Sequence, residues 1–250
     1  MYLVELSDSR NTILYEKLKK LHDTQSYTGE KNLTDKDACV IFSPAKKLSG
    51  KDAERLPIKA RVFGGNQASA VLEIFKAREI KYVNLLSDET FSIKNAVLTA
   101  ECCFRVLIDA TEKSVFENNI LILGCGRLGK ALSLLFSKLG LSFAVCTYNK
   151  AEFEAAVLYA KRNFFSESYI SVIEQFDVII NTIPAIILND DVISKISKDT
   201  SIIELASIPC LDTEKIKYLD INYMPTPGLP SLYCPETAAD IMLESILQHI

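Results

Sequence analysis

Three glycines, Gly124, Gly126 and Gly129, fall in one six-residue window of a chain that has only nine. They spell G-x-G-x-x-G within "LILGCGRLGKAL", where an apolar run leads into the first glycine and a helical pattern follows the third. A strand, a glycine loop and a helix in that order are the setting in which this motif holds a dinucleotide. The first glycine permits the tight turn, the second lets the backbone approach a pyrophosphate, and the third lets helix and strand pack closely. The helix N-terminus then presents unpaired N–H groups to the phosphates. Arg127 and Leu128 complete the loop, and the guanidinium of Arg127 has the reach and charge for a phosphate.

The end of the following strand bears on which dinucleotide fits. NAD sites usually carry Asp or Glu there, about 20 residues beyond the loop, to bind the ribose 2′-hydroxyl. Here that strand ends "CTYNK", and the first acid, Glu152, already lies inside the next helix. Thr147, Asn149 and Lys150 offer a hydroxyl, an amide and a cation, which suit a 2′-phosphate. Tyr148 is placed to lie against adenine. The pattern favours NADP, with NAD as the alternative if Lys150 is simply a solvated first-turn lysine.

Other chemistry is sparse. The two histidines, His22 at the end of a surface helix and His249 next to the C-terminus, are poorly placed for a His–Glu dehydrogenase pair. There is no G-x-S-x-G and no Walker loop. The catalytic residue is therefore unknown, and any proton transfer falls to a carboxylate, Lys, Tyr, Cys or water. The seven cysteines include no C-x-x-C pair and read as reduced, mostly buried thiols; with so few histidines, zinc is not expected. A net charge of −4 argues against a nucleic-acid surface. No apolar run is long enough for a membrane span, and Glu5, Asp8 and Arg10 come too early for a signal peptide, so a cytoplasmic protein is expected.

The elements that must position the loop alternate between β and α throughout, which makes the chain α/β with parallel sheets. "MYLVELS", "ACVIFSP", "ARVFGG" and "KYVNLLS" read as strands, with helices at "NTILYEKLKKLH" and "QASAVLEIFKARE" and a charged connection over 46–59. This is a small α/β domain over residues 1–90. A long bridging helix over 91–113 carries an apolar stripe of Ile93, Val97, Ala100, Phe104 and Leu107. A doubly wound parallel sheet of the Rossmann kind follows over 114–234, and a closing helix over 235–250 has Pro235 in its first turn. In the second domain "LSFAVCTYN", "NFF", "DVIINTI", "TSIIELAS" and "INYMPTP" are strands, and "KAEFEAAVLYAKR", "ESYISVIEQ" and "NDDVISKIS" are helices. "VIINTI" and "SIIELA" are apolar on both faces, as strands covered by helices on each side must be.

From "YVNLLSDETFSIKNAVLTAE" to the C-terminus, about two-thirds of the chain resembles the family of the dipicolinate synthase A subunit. The resemblance is carried by "VNLL", "LTAE", "LGCGRLG", "INTIPAIIL", "IIELASIP" and "TPGLP…PETA" in that order. It implies a fold like that of formate/glycerate dehydrogenases: a Rossmann domain and a smaller, shortened flavodoxin-like N-terminal domain, with the active site in the cleft. It also implies NADP-linked oxidation of a dihydrodipicolinate-type precursor to dipicolinate in sporulation, beside a flavoprotein-like B subunit, with a homo-oligomer also open. On these residues Thr182, Ile183 and Pro184 would run under the nicotinamide ribose. Ala206, Ser207, Pro227, Gly228 and Leu229 would face nicotinamide and substrate, and Thr99 and Glu101 would reach the cleft. A solvated i,i+4 pair of Glu101 with Arg105 explains that glutamate equally well.

The resemblance has departures. The family has a lysine where Ile208 stands, a glycine pair at Cys210–Leu211, a lysine at Glu236 and an arginine at Tyr148. Two cations that could offset a dicarboxylate are thus missing, and Lys46 and Lys47 of "SPAKKLSG" are the available compensation. Ser43–Pro44 and Gly64–Gly65 also end strands where α/β ligands bind. The alternative function is a non-catalytic NAD(P)-binding regulatory or assembly subunit that has lost dicarboxylate binding.

Overall fold

A computed structural model describes residues 1–29, 38–216 and 221–250. The strands are β1 Tyr2–Val4, β2 Thr24–Ser26, β3 Cys39–Ile41, β4 Arg61–Gly64, β5 Lys81–Asn84, β6 Ile120–Leu123, β7 Phe143–Thr147, β8 Arg162–Phe165, β9 Val178–Asn181, β10 Ser201–Glu204 and β11 Asn222–Pro225. The helices are α1 Ser9–Lys19, α2 Gly50–Arg55, α3 Ser69–Ala77, α4 Glu89–Asp109, α5 Arg127–Leu139, α6 Lys150–Ala156, α7 Asp190–Ile193, α8 Thr213–Ile216, α9 Leu229–Tyr233 and α10 Pro235–Gln248. The chain forms two units, residues 1–98 with 228–250, and residues 99–227. Among the described residues, no helix is long and apolar enough to cross a membrane.

The first unit holds a parallel five-stranded sheet in the order β2-β1-β3-β4-β5, the flavodoxin-like arrangement. Side chains alternate across it, as strand geometry requires. Leu3, Val40 and Val62 pack with Val71 and Phe75 of α3 on one face. Tyr2, Val4, Ile41 and Phe63 pack with Leu14 and Leu18 of α1 and with Ala239, Met242 and Ile246 of α10 on the other. The C-terminal helix thus completes the core of the N-terminal sheet, where Lys17 of α1 meets Asp240 and Glu236.

The second unit holds a parallel six-stranded sheet in the order β11-β10-β9-β6-β7-β8. Renumbered from its own first strand, this is 3-2-1-4-5-6, the Rossmann order. β6, β9 and β10 are buried at every position. One face of the sheet, with Leu121, Leu123, Ala144, Cys146, Ile179 and Ile202, packs under Tyr169, Ile173, Phe176, Val192 and Ile196.

Several elements differ from what the sequence pattern predicts. The edge strand β2, "TQS", has no apolar alternation to announce it. The charged connection over 46–59 contains α2, started by a reciprocal capping box between Ser49 and Asp52. The helix expected over "KAEFEAAVLYAKR" ends at Ala156, and Val157 and Leu158 are 70% and 76% exposed. "ESYISVIEQ" is wound as 3-10 helix rather than α-helix. On α4, Ala100 and Leu107 are buried, but Ile93 and Val97 are about half exposed. Phe91, Ser92, Ala96, Leu98, Cys102, Cys103 and Val106 are buried as well, a set in which large side chains alternate with small ones that carry little weight in an apolar pattern.

Candidate dinucleotide site

β6 ends at Leu123 and α5 begins at Arg127, so the glycine loop sits at the carboxyl edge of the sheet, where β6 lies between β9 and β7. This is the point at which the strand order reverses, the position at which open α/β sheets take their ligands. Each glycine has a separate physical reason. Gly124 has φ +104°, and a Cβ there would stand 2.3 Å from Thr182 Oγ1. A Cβ on Gly129 would stand 2.1 Å from the Gly124 carbonyl oxygen, so α5 can lie against the loop only without a side chain. Gly126, the N-cap of α5, has φ −69°, and a Cβ there would meet nothing within 4 Å. The second glycine is thus required neither by its backbone angle nor by packing, and it leaves open space at a helix N-terminus.

Arg127 is exposed beside Gly126, Leu128 is half-buried and Gly129 is buried. Cys125, between the first two glycines, is 2% exposed, and burial, reinforced by Glu152, pushes its thiol up from the usual range. It packs; it does not supply a thiolate.

At the end of β7, Tyr148, Asn149 and Lys150 are exposed. Thr147 is 2% exposed. Its hydroxyl donates to Glu152 at 3.0 Å and accepts from the Asn149 N–H at 3.1 Å, so it builds the turn and is not offered to a phosphate. Asn149 caps α6 by accepting from the Glu152 N–H. Glu152, although it belongs to the helix, folds back to Thr147 and lies 3.6 Å from Lys130 of α5. A carboxylate therefore does stand at this strand end, supplied from the following helix.

Over the other half of the sheet, Thr182 donates its hydroxyl to Leu123 O at 2.8 Å, tying the loop after β9 to the end of β6. Asn181 Nδ2 donates to Ile183 O, and Asn181 Oδ1 accepts from the Ile183 N–H, which fixes the turn at 182–184; Pro184 is exposed at its tip. Ala206 is half-buried and Ser207 exposed in the loop after β10. That loop is held from below by Glu204, a buried acid that the motifs do not single out. A lone Glu ending the apolar run "SIIE" is its signal, but such an acid reads equally as an exposed strand end.

The remaining candidates are less concentrated. Thr99 is half-buried and Glu101 exposed on α4. Pro227 is exposed, Gly228 adopts φ +68°, and Leu229 is buried at the start of α9, which leaves Pro227 and Gly228 as the accessible pair of that turn. In the first unit Lys46 pairs with Glu5 at 2.9 Å, and Lys47 donates to Asn66 O at 2.7 Å. Ser43 donates to Asp8 and accepts from the buried Arg10. A Cβ on Gly65 would stand 1.9 Å from Pro44 O, so that glycine serves backbone packing.

A parallel sheet in this order, with this loop at its switch point, defines a Rossmann fold. No family model matches the chain. It is 27% identical over 204 residues to the A subunit of dipicolinate synthase from Bacillus subtilis (strain 168), covering 81% of this chain and 69% of that protein. The structure of the dipicolinate synthase A subunit from Bacillus halodurans superposes with a TM-score of 0.84 at 20% identity, over 99% of this chain and 96% of that one. At greater distance, a cofactor (NAD+)-bound 3-phosphoglycerate dehydrogenase of Entamoeba histolytica has a TM-score of 0.61 at 13% identity, over 100% of this chain and 94% of that one. The resemblance to the family of the dipicolinate synthase A subunit holds in both sequence and fold.

Proposed function

We propose that this chain is an NAD(P)-dependent oxidoreductase of the type of the dipicolinate synthase A subunit, which oxidises a dihydrodipicolinate-type precursor. The observation that carries the reading is the division of labour among the three glycines. Two are fixed by packing, and the third leaves open space where a pyrophosphate would meet the N-terminus of α5. The bound dinucleotide would supply the hydride acceptor. The chain's own contribution is to hold the phosphates on the loop backbone and Arg127, to seat the nicotinamide half over 182–184 and 206–207, and to keep those loops fixed from beneath. In the overall change a hydride leaves a ring carbon of the substrate, a proton is lost, and the ring becomes aromatic. On the same reading the protein works in the cytoplasm during sporulation, beside a flavoprotein-like B subunit.

The cofactor we propose is NADP, held by the exposed Lys150 with Tyr148 and Asn149 beside it. Glu152 is already engaged by Thr147 and Lys130. Lys150→Ala is expected to weaken NADP about three- to tenfold and NAD less than twofold, as removal of one exposed charge-assisted contact should. Equal losses for both nucleotides, measured by calorimetry, would return the site to NAD.

One observation favours the second reading, a cofactor-binding subunit that has lost dicarboxylate affinity. Ile208 is half exposed where the family carries a lysine, and Glu236 is occupied by Lys17. Of the expected compensation, Lys46 is occupied by Glu5 and Lys47 donates to Asn66 O. The wild type is therefore expected to bind dipicolinate weakly, and Ile208→Lys with Glu236→Lys to strengthen it. The purified chain should form NADPH from dihydrodipicolinate, with or without a B subunit. Cofactor binding with no turnover under either condition would favour the non-catalytic reading over the enzyme. Tight dipicolinate binding by the wild type, unchanged in the double variant, would show that these departures do not matter.

A further inference from the structure

Glu204 closes β10 in the last rung of the sheet, beside Asn181 of β9 and Pro225 of β11. It is 4% exposed. Its Oε1 accepts from Asn181 Nδ2 at 2.7 Å and from the Ala206 N–H at 2.9 Å, and its Oε2 accepts from the Cys210 N–H at 2.7 Å and the Tyr223 hydroxyl at 3.4 Å. All four donors are neutral. Burial, reinforced by the neighbouring carboxylate, pushes the Cys210 thiol and the Tyr223 phenol up, so both keep their protons beside it. Hydrogen bonds from neutral dipoles make the buried carboxylate tolerable, but they do not cancel its charge. In a low-dielectric surrounding, that charge acts well beyond its contacts.

A Rossmann sheet binds one nucleotide over each half. With the adenosine ribose at the end of β7 and the pyrophosphate at 124–129, the nicotinamide half would fall to the ends of β9 and β10, on the side of the sheet that Glu204 closes. We propose that the Glu204 carboxylate acts on the nicotinamide ring as a fixed negative charge that favours the oxidised, cationic form of the cofactor over the reduced, neutral one. The proposal rests on the nicotinamide-dinucleotide reading under Proposed function. It makes the chain better at capturing the oxidised cofactor and releasing the reduced one, as a dehydrogenase working towards substrate oxidation requires. The cost is some driving force for hydride transfer within the complex. Glu204 also holds the loop 206–210 directly and the turn 182–184 through Asn181, so a purely mechanical role must be told apart from the electrostatic one.

The ratio of two affinities does this. Dissociation constants for NADP+ and NADPH, and for NAD+ and NADH, are measured by calorimetry on the wild type, on Glu204→Gln and on Tyr223→Lys. Glu204→Gln removes the charge and keeps the shape. Tyr223→Lys keeps every acceptor of Glu204 and sets an ammonium beside it, so it decides the matter if the first variant does not fold. In each variant the ratio of the oxidised to the reduced dissociation constant is expected to rise about five- to tenfold, the effect of one unit charge across a poorly screened gap. Equal weakening of both forms, with the ratio unchanged, would overturn the electrostatic role and leave Glu204 as a loop support. A folded wild type that binds no nicotinamide dinucleotide would overturn the underlying reading and this inference with it.

Discussion

Gly126→Val is expected to lose at least tenfold in dinucleotide affinity while its melting temperature without cofactor stays within about 4 °C of the wild type. The backbone at Gly126, φ −69° and ψ −163°, lies where any L-residue is comfortable, and an added Cβ meets nothing within 4 Å. Val is a poorer N-cap than Gly, and the cost of about 1 kcal/mol at the start of α5 stays within that margin. What the branched side chain occupies is the space over the first N–H groups of α5, where a pyrophosphate must come close to gain their hydrogen bonds. Calorimetry with NADP and NAD alongside a thermal melt reads both halves of the expectation. A folded variant with unchanged affinity would remove the loop from the binding site.

The second large effect runs the other way. Gly129→Ala should lower the melting temperature by about 6–12 °C, corresponding to a cost of about 3 kcal/mol, before any cofactor is added. Its Cβ would stand 2.1 Å from the Gly124 carbonyl oxygen and 2.8 Å from the carbonyl carbon. These are backbone atoms that no rotamer change can move. Relief requires α5 to lift away from β6, although Leu132 and Phe136 of α5 are fully buried. Gly129→Ala as stable as the wild type would show that helix and strand do not meet closely at this point. Measured together, the two variants separate the glycine that serves the ligand from the one that serves the fold.

The second domain is the more legible part of the chain. Its central strands are apolar at every position because helices cover both faces, and a short run such as "VIINTI" between turn residues fits little but a buried parallel strand. The glycine loop is legible because Gly124 and Gly129 answer local steric demands and Gly126 leaves the open space a ligand needs. The C-terminal helix is different: nothing in "PETAADIMLESILQHI" tells that Ala239, Met242 and Ile246 complete the core of the N-terminal sheet, because an apolar stripe records burial and not its partner. The edge strand β2 is invisible in sequence, since its three residues "TQS" join the sheet through backbone hydrogen bonds to β1. The stripe on α4 is misplaced at Ile93 and Val97 because small buried residues such as Ser92, Ala96 and Cys103, which the helix buries alongside Phe91, Leu98 and Leu107, carry little weight in an apolar periodicity.

The candidate site is legible in its backbone and less so in its side chains. The position of the loop and the exposure of Tyr148, Asn149 and Lys150 follow from strand and helix boundaries. The burial of Thr147, the return of Glu152 to the strand end and the four donors around Glu204 depend on rotamers and on loops from separate strands. Spacing along the chain contains none of that.

A crystal structure of the wild-type chain grown with NADP would show the binding mode itself. The pyrophosphate is expected against the backbone N–H groups at the start of α5, over Gly126, with the adenosine half towards Tyr148 and Lys150 and the nicotinamide half towards 182–184 and 206–207. A dinucleotide bound elsewhere on the protein, with the space over Gly126 left to water, would contradict the assignment of this loop as the cofactor site.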